Sequence, residues 1–282
     1  MEILPELEWE GLLEKLKQQR GTAILIGATD SGKSTLTKYL VEKLIRENIK
    51  VSVVDADIGQ STLGLPGAIS MRVFSNEKDI ENFRFEKMFF VGSTNPAKRI
   101  SMVIDGSKRM VDFCRERSEI IVVDTTGLIS GEIGRALKIG KIRAIKPEHI
   151  IAVQRNDELE HILNLIEGIP IHRIRASSLA KGRDRENRVH YRKKKFLDYF
   201  DIKEISEFLL NQNDVRFFYN SKPFNLREGD FKKGTIIGLN HNVDTMGLGA
   251  VVEIIDDSVI FKSPIKSLKG INRVLFGDMD IS

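Results

Sequence analysis

The sequence is poor in the features that anchor or cross-link a protein. Its single cysteine, Cys114, excludes a disulfide within the chain and suits a reducing compartment. Its apolar runs fall well short of the ~20 residues that a membrane-spanning helix needs. The opening residues lack a signal-peptide pattern. We therefore expect a cytoplasmic protein with no membrane partner.

The excess of one sign of charge over the other is also small, because the sequence has 44 Lys and Arg residues and 40 Asp and Glu residues. The formal net charge of +4 and the pI near 9.0 are compatible with a polyanionic partner. With so small an excess, the positions of the basic residues matter more than their sum. The 282 residues can form one α/β domain and a smaller second domain.

Short apolar strands alternate with amphipathic helices up to about residue 175. Strand patterns occur at 22–26, 51–54, 87–91, 119–123, 150–153 and 170–174, and helical patterns at 6–19, 36–45, 97–116 and 157–167. This alternation predicts an α/β fold with a parallel sheet flanked by helices. After residue 213, short β runs separated by glycines predict a small β-sandwich or barrel. We therefore predict a domain at 1–205, with a lid at about 175–195, and a β-rich C-terminal domain at 213–282.

A glycine-rich motif follows the first predicted strand and begins a helix. The pattern G-x-x-x-x-G-K-[ST] is matched by Gly27-Ala28-Thr29-Asp30-Ser31-Gly32-Lys33-Ser34-Thr35. In such a P-loop the backbone N–H groups surround the β-phosphate, and the helix N-terminus adds positive potential. We expect Lys33 to reach the β- and γ-phosphates and the Ser34 hydroxyl to bind magnesium. The motif predicts a P-loop NTPase that binds ATP or GTP with Mg²⁺ through Gly27, Thr29, Asp30, Ser31, Gly32, Lys33, Ser34 and Thr35.

Acidic loops follow two of the predicted strands. Asp55 and Asp57 come after the strand at 51–54, and Asp124 comes after the strand at 119–123. Ligands of such sheets bind beyond the carboxyl ends of the strands. Asp55 and Asp124 are therefore candidates to orient magnesium, partly through water, and Asp57 to accept the proton of an attacking hydroxyl. Alternatively, one of these carboxylates only caps a turn or a helix.

The most basic stretch of the chain is residues 183–195. If it is helical, Arg188 and Arg192 lie on one face, at i and i+4. Arginines that close over a phosphoryl group in transfer stabilise its charge, so this stretch is a candidate lid. It can instead grip nucleic-acid phosphates or form a solvated basic helix.

Taken in order, these motifs resemble those of the polynucleotide 5′-hydroxyl kinase family over about residues 9–200, and the chain looks like its archaeal and bacterial type. The matching residues are the P-loop, Asp55-x-Asp57-x-Gly59-Gln60, Gly92-x-x-x-Pro96, Thr125-Thr126-Gly127 followed by Gly131, Arg188-x-x-x-Arg192 and Asp198-Tyr199-Phe200. The resemblance implies transfer of the γ-phosphate of ATP or GTP to the 5′-hydroxyl end of RNA, with DNA as a second substrate to test. It also implies RNA-processing proteins as partners.

The resemblance further implies a role for each matching residue. By this resemblance, Lys33 and Ser34 bind phosphate and magnesium, and Asp57 and Gln60 contact the acceptor hydroxyl. A clasp around the substrate end is formed by Thr125, Thr126 and Gly127. The lid includes Arg188 and Arg192. Where several members have a base-stacking tryptophan after the clasp glycine, this chain has Leu128. Stacking contributes ~1–3 kcal/mol per base, so this difference affects base affinity more than chemistry.

Two other classes of function remain open at this stage. A P-loop ATPase or GTPase switch in an RNA-processing complex explains the P-loop and Asp124, but it leaves the basic stretch without a function. A catalytically silent RNA-binding scaffold would keep the nucleotide as a structural ligand. The kinase and the switch differ in whether the phosphate appears on an oligonucleotide or only as free phosphate.

Overall fold

The computed structural model describes residues 7–177, 184–201 and 204–281. Its helices are α1 (Leu7–Gln18), α2 (Lys33–Arg46), α3 (Glu77–Glu81), α4 (Ile100–Arg115), α5 (Gly131–Ile145), α6 (Glu160–Leu163) and α7 (Arg185–Phe200). Its strands are β1 (Gly21–Gly27), β2 (Val51–Ala56), β3 (Ala68–Phe74), β4 (Lys87–Phe90), β5 (Ile120–Thr125), β6 (His149–Gln154), β7 (Ile171–Arg175), β8 (Ser206–Asn211), β9 (Arg216–Tyr219), β10 (Lys222–Pro223), β11 (Thr235–His241), β12 (Asp244–Ile255), β13 (Ser258–Ser263) and β14 (Arg273–Asp280). Residues 178–183 of the predicted lid lie outside the described residues, as do residues 1–6, 202–203 and 282 of the predicted domains.

Five parallel strands form one end of the sheet, in the order β2-β5-β1-β6-β7, with β7 at its edge. Strands β1, β5 and β2 are almost continuously apolar, because helices cover both of their faces. One core cluster packs α1 and α2 against one face, and a second packs α4 and α5 against the other. The predicted parallel α/β sheet flanked by helices is confirmed. No helix in the described ranges is long and apolar enough to cross a membrane.

Some elements of this part were not predicted from the sequence. Strand β3 pairs antiparallel with β2, and β4 pairs antiparallel with β3, so this edge of the sheet is mixed. Helix α5 has a weak apolar repeat, because Lys138 and Lys141 occupy two of its buried positions. The helix predicted at 157–167 is shorter in the structure, where α6 spans Glu160–Leu163, and Gly168, with a φ of 74°, lies in the turn that leads to β7.

The β-rich C-terminal part packs directly on β4. Strand β12 pairs with β11, β13 and β4, and Thr245 of β12 lies opposite Met88. The amide of Phe90 donates a hydrogen bond to Thr245 Oγ1 at 2.9 Å. Phe90 also shares a core cluster with Ile236 and Leu248 of the C-terminal strands. The C-terminal strands are confirmed, whereas the boundaries 1–205 and 213–282 stay a prediction.

Replacing Phe90 by alanine is expected to lower the free energy of unfolding by about 3–5 kcal/mol. The Phe90 ring is fully buried and lies against the backbone of Gly238, where a Cβ would come within 2.4 Å of it, so truncation opens a cavity between β4 and β11. Urea unfolding followed by circular dichroism measures the change. Leu209→Ala, at a side chain that is 57% exposed, is the control and should change stability by less than about 0.5 kcal/mol. Equal losses in the two variants would contradict the shared core.

Candidate functional site

The P-loop connects the carboxyl end of β1 to the first turn of α2, as predicted. Gly32, the residue that caps the N-terminus of α2, has a left-handed conformation with a φ of 96°, which glycine adopts without steric cost. Lys33 is buried, and its Nζ donates hydrogen bonds to Gly27 O at 3.0 Å and to Ala28 O at 2.7 Å. Burial lowers the pKa of Lys33, against the opposing attraction of Asp124. The loop thus surrounds the ammonium group that the sequence assigns to phosphate binding.

The other predicted nucleotide contacts lie around this lysine. Ser31 is buried with its Oγ 3.5 Å from Lys33 Nζ, whereas Thr29 at the tip and Thr35 in the first turn of α2 are exposed. Gly127 lies directly against the tip of the loop, because a Cβ at Gly127 would fall 2.4 Å from the N and Cα atoms of Thr29. The absence of a side chain at Gly127 therefore allows the predicted clasp to contact the P-loop.

Asp124 and Ser34 form the group best suited to a magnesium ion. Ser34 Oγ donates a hydrogen bond to Asp124 Oδ2 at 2.5 Å. The other oxygen, Oδ1, is buried and accepts no hydrogen bond from any described residue. Burial and then the negative charge of Asp55 raise the pKa of Asp124 to about 7. A hydroxyl and a buried carboxylate oxygen without a donor, next to a phosphate-binding loop, fit the oxygen ligands that Mg²⁺ uses together with phosphates.

Asp55 lies beside Asp124 in the paired strands β2 and β5, but its carboxylate is occupied by the following loop. Its Oδ2 accepts hydrogen bonds from Ser61 Oγ at 2.9 Å and from the amides of Thr62 and Leu63 at 2.7 and 2.9 Å. Its Oδ1 accepts one from the amide of Asp57 at 3.1 Å. Asp55 thus holds the segment 57–63 in place, as in the turn-capping alternative, and its contribution to a magnesium site stays a prediction.

Asp57 presents one anchored and one available carboxylate oxygen. Oδ1 accepts hydrogen bonds from the amides of Gly59 and Gln60, both at 3.0 Å. No described residue donates a hydrogen bond to Oδ2, and the side chain is half-buried. Gln60 donates its Nε2–H to Gly59 O at 2.8 Å, while its buried Oε1 has no partner among the described residues. Asp57 therefore has the fixed position and the free oxygen that a general base needs.

The three residues predicted to form the clasp differ in their surroundings. The Thr125 hydroxyl is fully buried and donates to Leu25 O at 2.7 Å, inside the sheet. Thr126 is also buried, and its carbonyl oxygen accepts a hydrogen bond from the ammonium group of Lys138. Gly127 is the member of the three that contacts the P-loop. Direct substrate contact by Thr125, Thr126 or Gly127 stays a prediction.

From Arg185 onward the basic stretch lies in helix α7, which contacts both the P-loop and the loop that follows Asp57. Arg188 pairs with Asp30 of the P-loop at 2.8 Å. Tyr191 Oη donates to Ser61 O at 2.9 Å, and Lys195 Nζ donates to Thr62 O at 3.0 Å. Burial and the neighbouring Arg188 lower the pKa of Arg192. Arg188 and Arg192 lie one turn apart in this helix, and their part in phosphoryl transfer stays a prediction.

The turn that includes Gly92 and Pro96 joins the site to the C-terminal strands. Gly92 O accepts a hydrogen bond from the amide of Asp278 at 2.8 Å, and Ser93 Oγ donates to Asp278 Oδ2 at 3.0 Å. On its other side, Thr94 O lies 3.3 Å from where a Cβ of Gly59 would be. The turn therefore lies between β14 and the loop that carries Asp57.

Sequence reasoning missed several residues that hold this site together. They are Lys138 and Lys141 in α5, Tyr191 and Lys195 in α7, and Arg155, which donates a hydrogen bond to Asp30 O at 2.9 Å. For Tyr191 and Lys195 a signal was available, since they follow Arg188 at i+3 and i+7 on the same helix face. For the α5 lysines the sequence carries no comparable signal, because their burial depends on how α5 packs against distant strands.

Comparison with known proteins identifies the family. The family model described as "mRNA cleavage and polyadenylation factor CLP1 P-loop" matches residues 27–201, which include the P-loop, both acidic loops and α7. The chain belongs to the CLP1 P-loop family. Nucleotide binding follows from this membership, in agreement with the loop geometry around Lys33.

Archaeal relatives and a solved structure resemble this CLP1-family chain over most of its length. A polyribonucleotide 5′-hydroxyl-kinase of Methanocaldococcus jannaschii is 38% identical over 75% of the chain and 59% of the relative, and one of Pyrococcus horikoshii is 35% identical over 69% of the chain and 53% of the relative. The chain thus spans little more than half the length of these curated relatives. A chain of the wild-type Clp1p–Pcf11p complex superposes with a TM-score of 0.76 at 12% identity, covering 96% of this chain and 77% of the other, which shows a shared fold.

Replacing Gly127 by alanine is expected to weaken ATP binding by about tenfold or more, which corresponds to about 1.4 kcal/mol. The added Cβ overlaps the backbone of Thr29, so the P-loop must shift to accommodate it. Isothermal titration calorimetry with ATP and magnesium gives the affinity. Gly11→Ala is the matched control, because a Cβ there meets nothing within 4 Å. An unchanged affinity for the Gly127 variant would show that the clasp and the P-loop are not in contact.

Proposed function

We propose that this CLP1-family protein is an ATP-dependent polynucleotide 5′-hydroxyl kinase whose acceptor is the 5′ end of RNA. The observation that carries the proposal is the arrangement of Asp57, whose Oδ1 is anchored and whose Oδ2 is free among the described residues, in a loop that α7 ties to the P-loop side of the site. A nucleotide switch needs no such group aimed at an acceptor. The names of the archaeal relatives point to the same activity.

The P-loop side of the site binds the nucleoside triphosphate. Lys33 would exchange its present carbonyl partners for the β- and γ-phosphate oxygens, which are stronger acceptors because they are charged. Ser34 and Asp124 would hold magnesium, with Asp55 supporting the loop next to them. When bound, magnesium neutralises the developing charge on the phosphate oxygens.

On the acceptor side, Asp57 orients the 5′-hydroxyl and accepts its proton on Oδ2. The hydroxyl oxygen then forms a bond to the γ-phosphorus, while the bond from the γ-phosphorus to the bridging oxygen breaks and ADP leaves. Gln60, whose buried Oε1 has no partner among the described residues, supplies an acceptor beside Asp57 for a substrate hydroxyl. Gly127 lies against the tip of the P-loop, and we expect Thr125, Thr126 and Gly127 to bound the acceptor end from this position.

Arg188 and Arg192 stabilise the charge that spreads over the transferred phosphoryl group. Arg188 is paired with Asp30 in the described structure, so an arriving γ-phosphate offers it a second anionic partner at the same place. Use of GTP, phosphorylation of DNA ends, RNA-processing protein partners and a cytoplasmic location belong to this proposal as further predictions. A switch that releases only free phosphate is the second candidate, and it is favoured by no contact in the site.

The proposal predicts that labelled γ-phosphate moves from ATP to a 5′-hydroxyl RNA oligonucleotide. An identical oligonucleotide that already carries a 5′-phosphate is the substrate control, and Lys33→Ala is the enzyme control, expected to lose turnover by orders of magnitude while its circular dichroism spectrum is kept. A matched DNA oligonucleotide ranks the two acceptors in the same experiment. Free phosphate without labelled oligonucleotide would favour the switch.

Asp57→Asn is expected to leave the ATP affinity within about twofold and to lower kcat for transfer by about 10²–10⁴-fold. The amide keeps the size of the side chain and an oxygen for the Gly59 and Gln60 amides, but it cannot take the proton. Single-turnover transfer and calorimetric ATP binding measure the two quantities. If both fall equally, Asp57 contributes to nucleotide or metal binding instead.

A further inference from the structure

Two lysines of α5 are completely buried behind the proposed active site. Lys138 and Lys141 are both 0% exposed, one helical turn apart, on the side of α5 that faces the sheet. Neither forms an ion pair with any described carboxylate. Burial lowers the pKa of Lys141 to about 8 and the pKa of Lys138 well below its usual range. The charged form of either lysine is costly in this position, because a buried charge loses its hydration.

The groups that face these lysines are those of the proposed active site. Asp57 and Asp124 attract both lysines, Asp55 also attracts Lys141, and Lys33 repels Lys138. Lys138 and Lys141 also repel each other. The three carboxylates thus compensate part of the buried positive charge, but none is close enough to form an ion pair. The short contacts of both lysines are instead with uncharged oxygens.

Those contacts are made with two backbone segments. Lys138 Nζ donates to Thr125 Oγ1 at 2.8 Å and to Thr126 O, the carbonyl that precedes Gly127. Lys141 Nζ donates to Ala56 O at 3.2 Å, the carbonyl that precedes Asp57. One segment is the predicted clasp, and the other carries the proposed base. A single rigid helix therefore fixes the spacing between them.

The geometry points to Lys138 and Lys141 as positioning residues that hold the clasp and the Asp57 segment at a fixed separation around the acceptor end. This inference rests on the proposed kinase function. Lys141 acts through the Ala56 carbonyl on the orientation of Asp57, so its effect belongs to the chemical step. Lys138 acts through the Thr126 carbonyl on the clasp, so its effect belongs to acceptor binding.

A purely structural role predicts a different pattern. If the lysines only fill space, then methionine, which has a similar length and no charge, would serve as well or better, since it removes a buried charge. Positioning by hydrogen bonds predicts instead that methionine keeps the fold and impairs the reaction. The two variants should also impair different kinetic constants, which a general loss of stability would not produce.

The test compares Lys141→Met and Lys138→Met with the exposed control Arg143→Met, which removes a positive charge from the same helix. We expect Lys141→Met to lower kcat by about 10- to 100-fold with an unchanged KM for a 5′-hydroxyl RNA oligonucleotide. Lys138→Met should raise that KM by about tenfold or more with a smaller change in kcat. Arg143→Met should match the wild type, and Lys141→Met should bind ATP with the affinity of the wild type.

A second pair of variants guards against misfolding. In Lys138→Ala and Lys141→Ala, ethylammonium chloride should restore part of the lost activity, because it returns N–H donors to the truncated site, whereas tetramethylammonium chloride, which has no N–H group, should not. Wild-type kinetics in both methionine variants overturn the inference. The inference is also overturned if kcat and KM change by the same factors in both methionine variants. Loss of the folded state in all the lysine variants would overturn it too. Absence of transfer by the wild-type protein itself would instead contradict the proposed kinase function.

Discussion

The parallel pairing of β1, β5 and β2 is the constraint from which the rest of the site follows. In this pairing Asp55 lies opposite Asp124, and β1 ends in the P-loop at the same edge of the sheet. The three strands are buried on both faces, so their register is fixed by apolar packing rather than by the polar groups at their ends. The packing of an apolar core therefore fixes the positions of the charged residues of the site. Burial of this core also supplies the free energy that burying those charges requires.

Buried hydrogen bonds then hold the loops that follow these strands. Asp55 uses its carboxylate to fix the segment 57–63, and Lys138 and Lys141 of α5 fix the carbonyls next to Gly127 and Asp57. These charges are costly to bury, yet each has partners of defined direction, and such interactions orient a loop more strictly than apolar contacts do. The proposed base and the clasp thus belong to a rigid frame rather than to free surface loops.

The elements that contact the loop at residues 57–63 come from distant parts of the chain. Helix α7 contacts the P-loop through Arg188 and the loop at residues 57–63 through Tyr191 and Lys195. From the other direction, Asp278 in β14 fixes the turn at Gly92, which lies against Gly59. Because β14 pairs with β11, and β4 with β12, the C-terminal strands support the loop at residues 57–63 as well as the sheet. Their proposed contribution is to hold the turn at Gly92 against the loop that carries Asp57.

The sequence by itself determined the features that depend on neighbours along the chain. The P-loop follows from a local motif. Hydrophobic periodicity predicts the strand before the P-loop, the strand before Asp124 and the parallel sheet that contains both. The spacing of Arg188 and Arg192 places them on one face of a helix. Local pattern also placed Asp57 just after the end of a strand. Because the carboxyl ends of parallel strands meet at one edge of the sheet, this position puts Asp57 on the same edge as the P-loop.

Only the tertiary structure decided which of these polar groups bind one another. The sequence could not indicate that Asp55 is occupied by residues 61–63, that Thr125 turns its hydroxyl into the sheet, or that β4 pairs with β12. Nor could it distinguish Lys138 and Lys141 from surface lysines, since burial is set by the packing of α5 on strands far away in sequence. Partners separated by many residues leave no fixed spacing in the sequence, so their contacts arise only when the core brings them together.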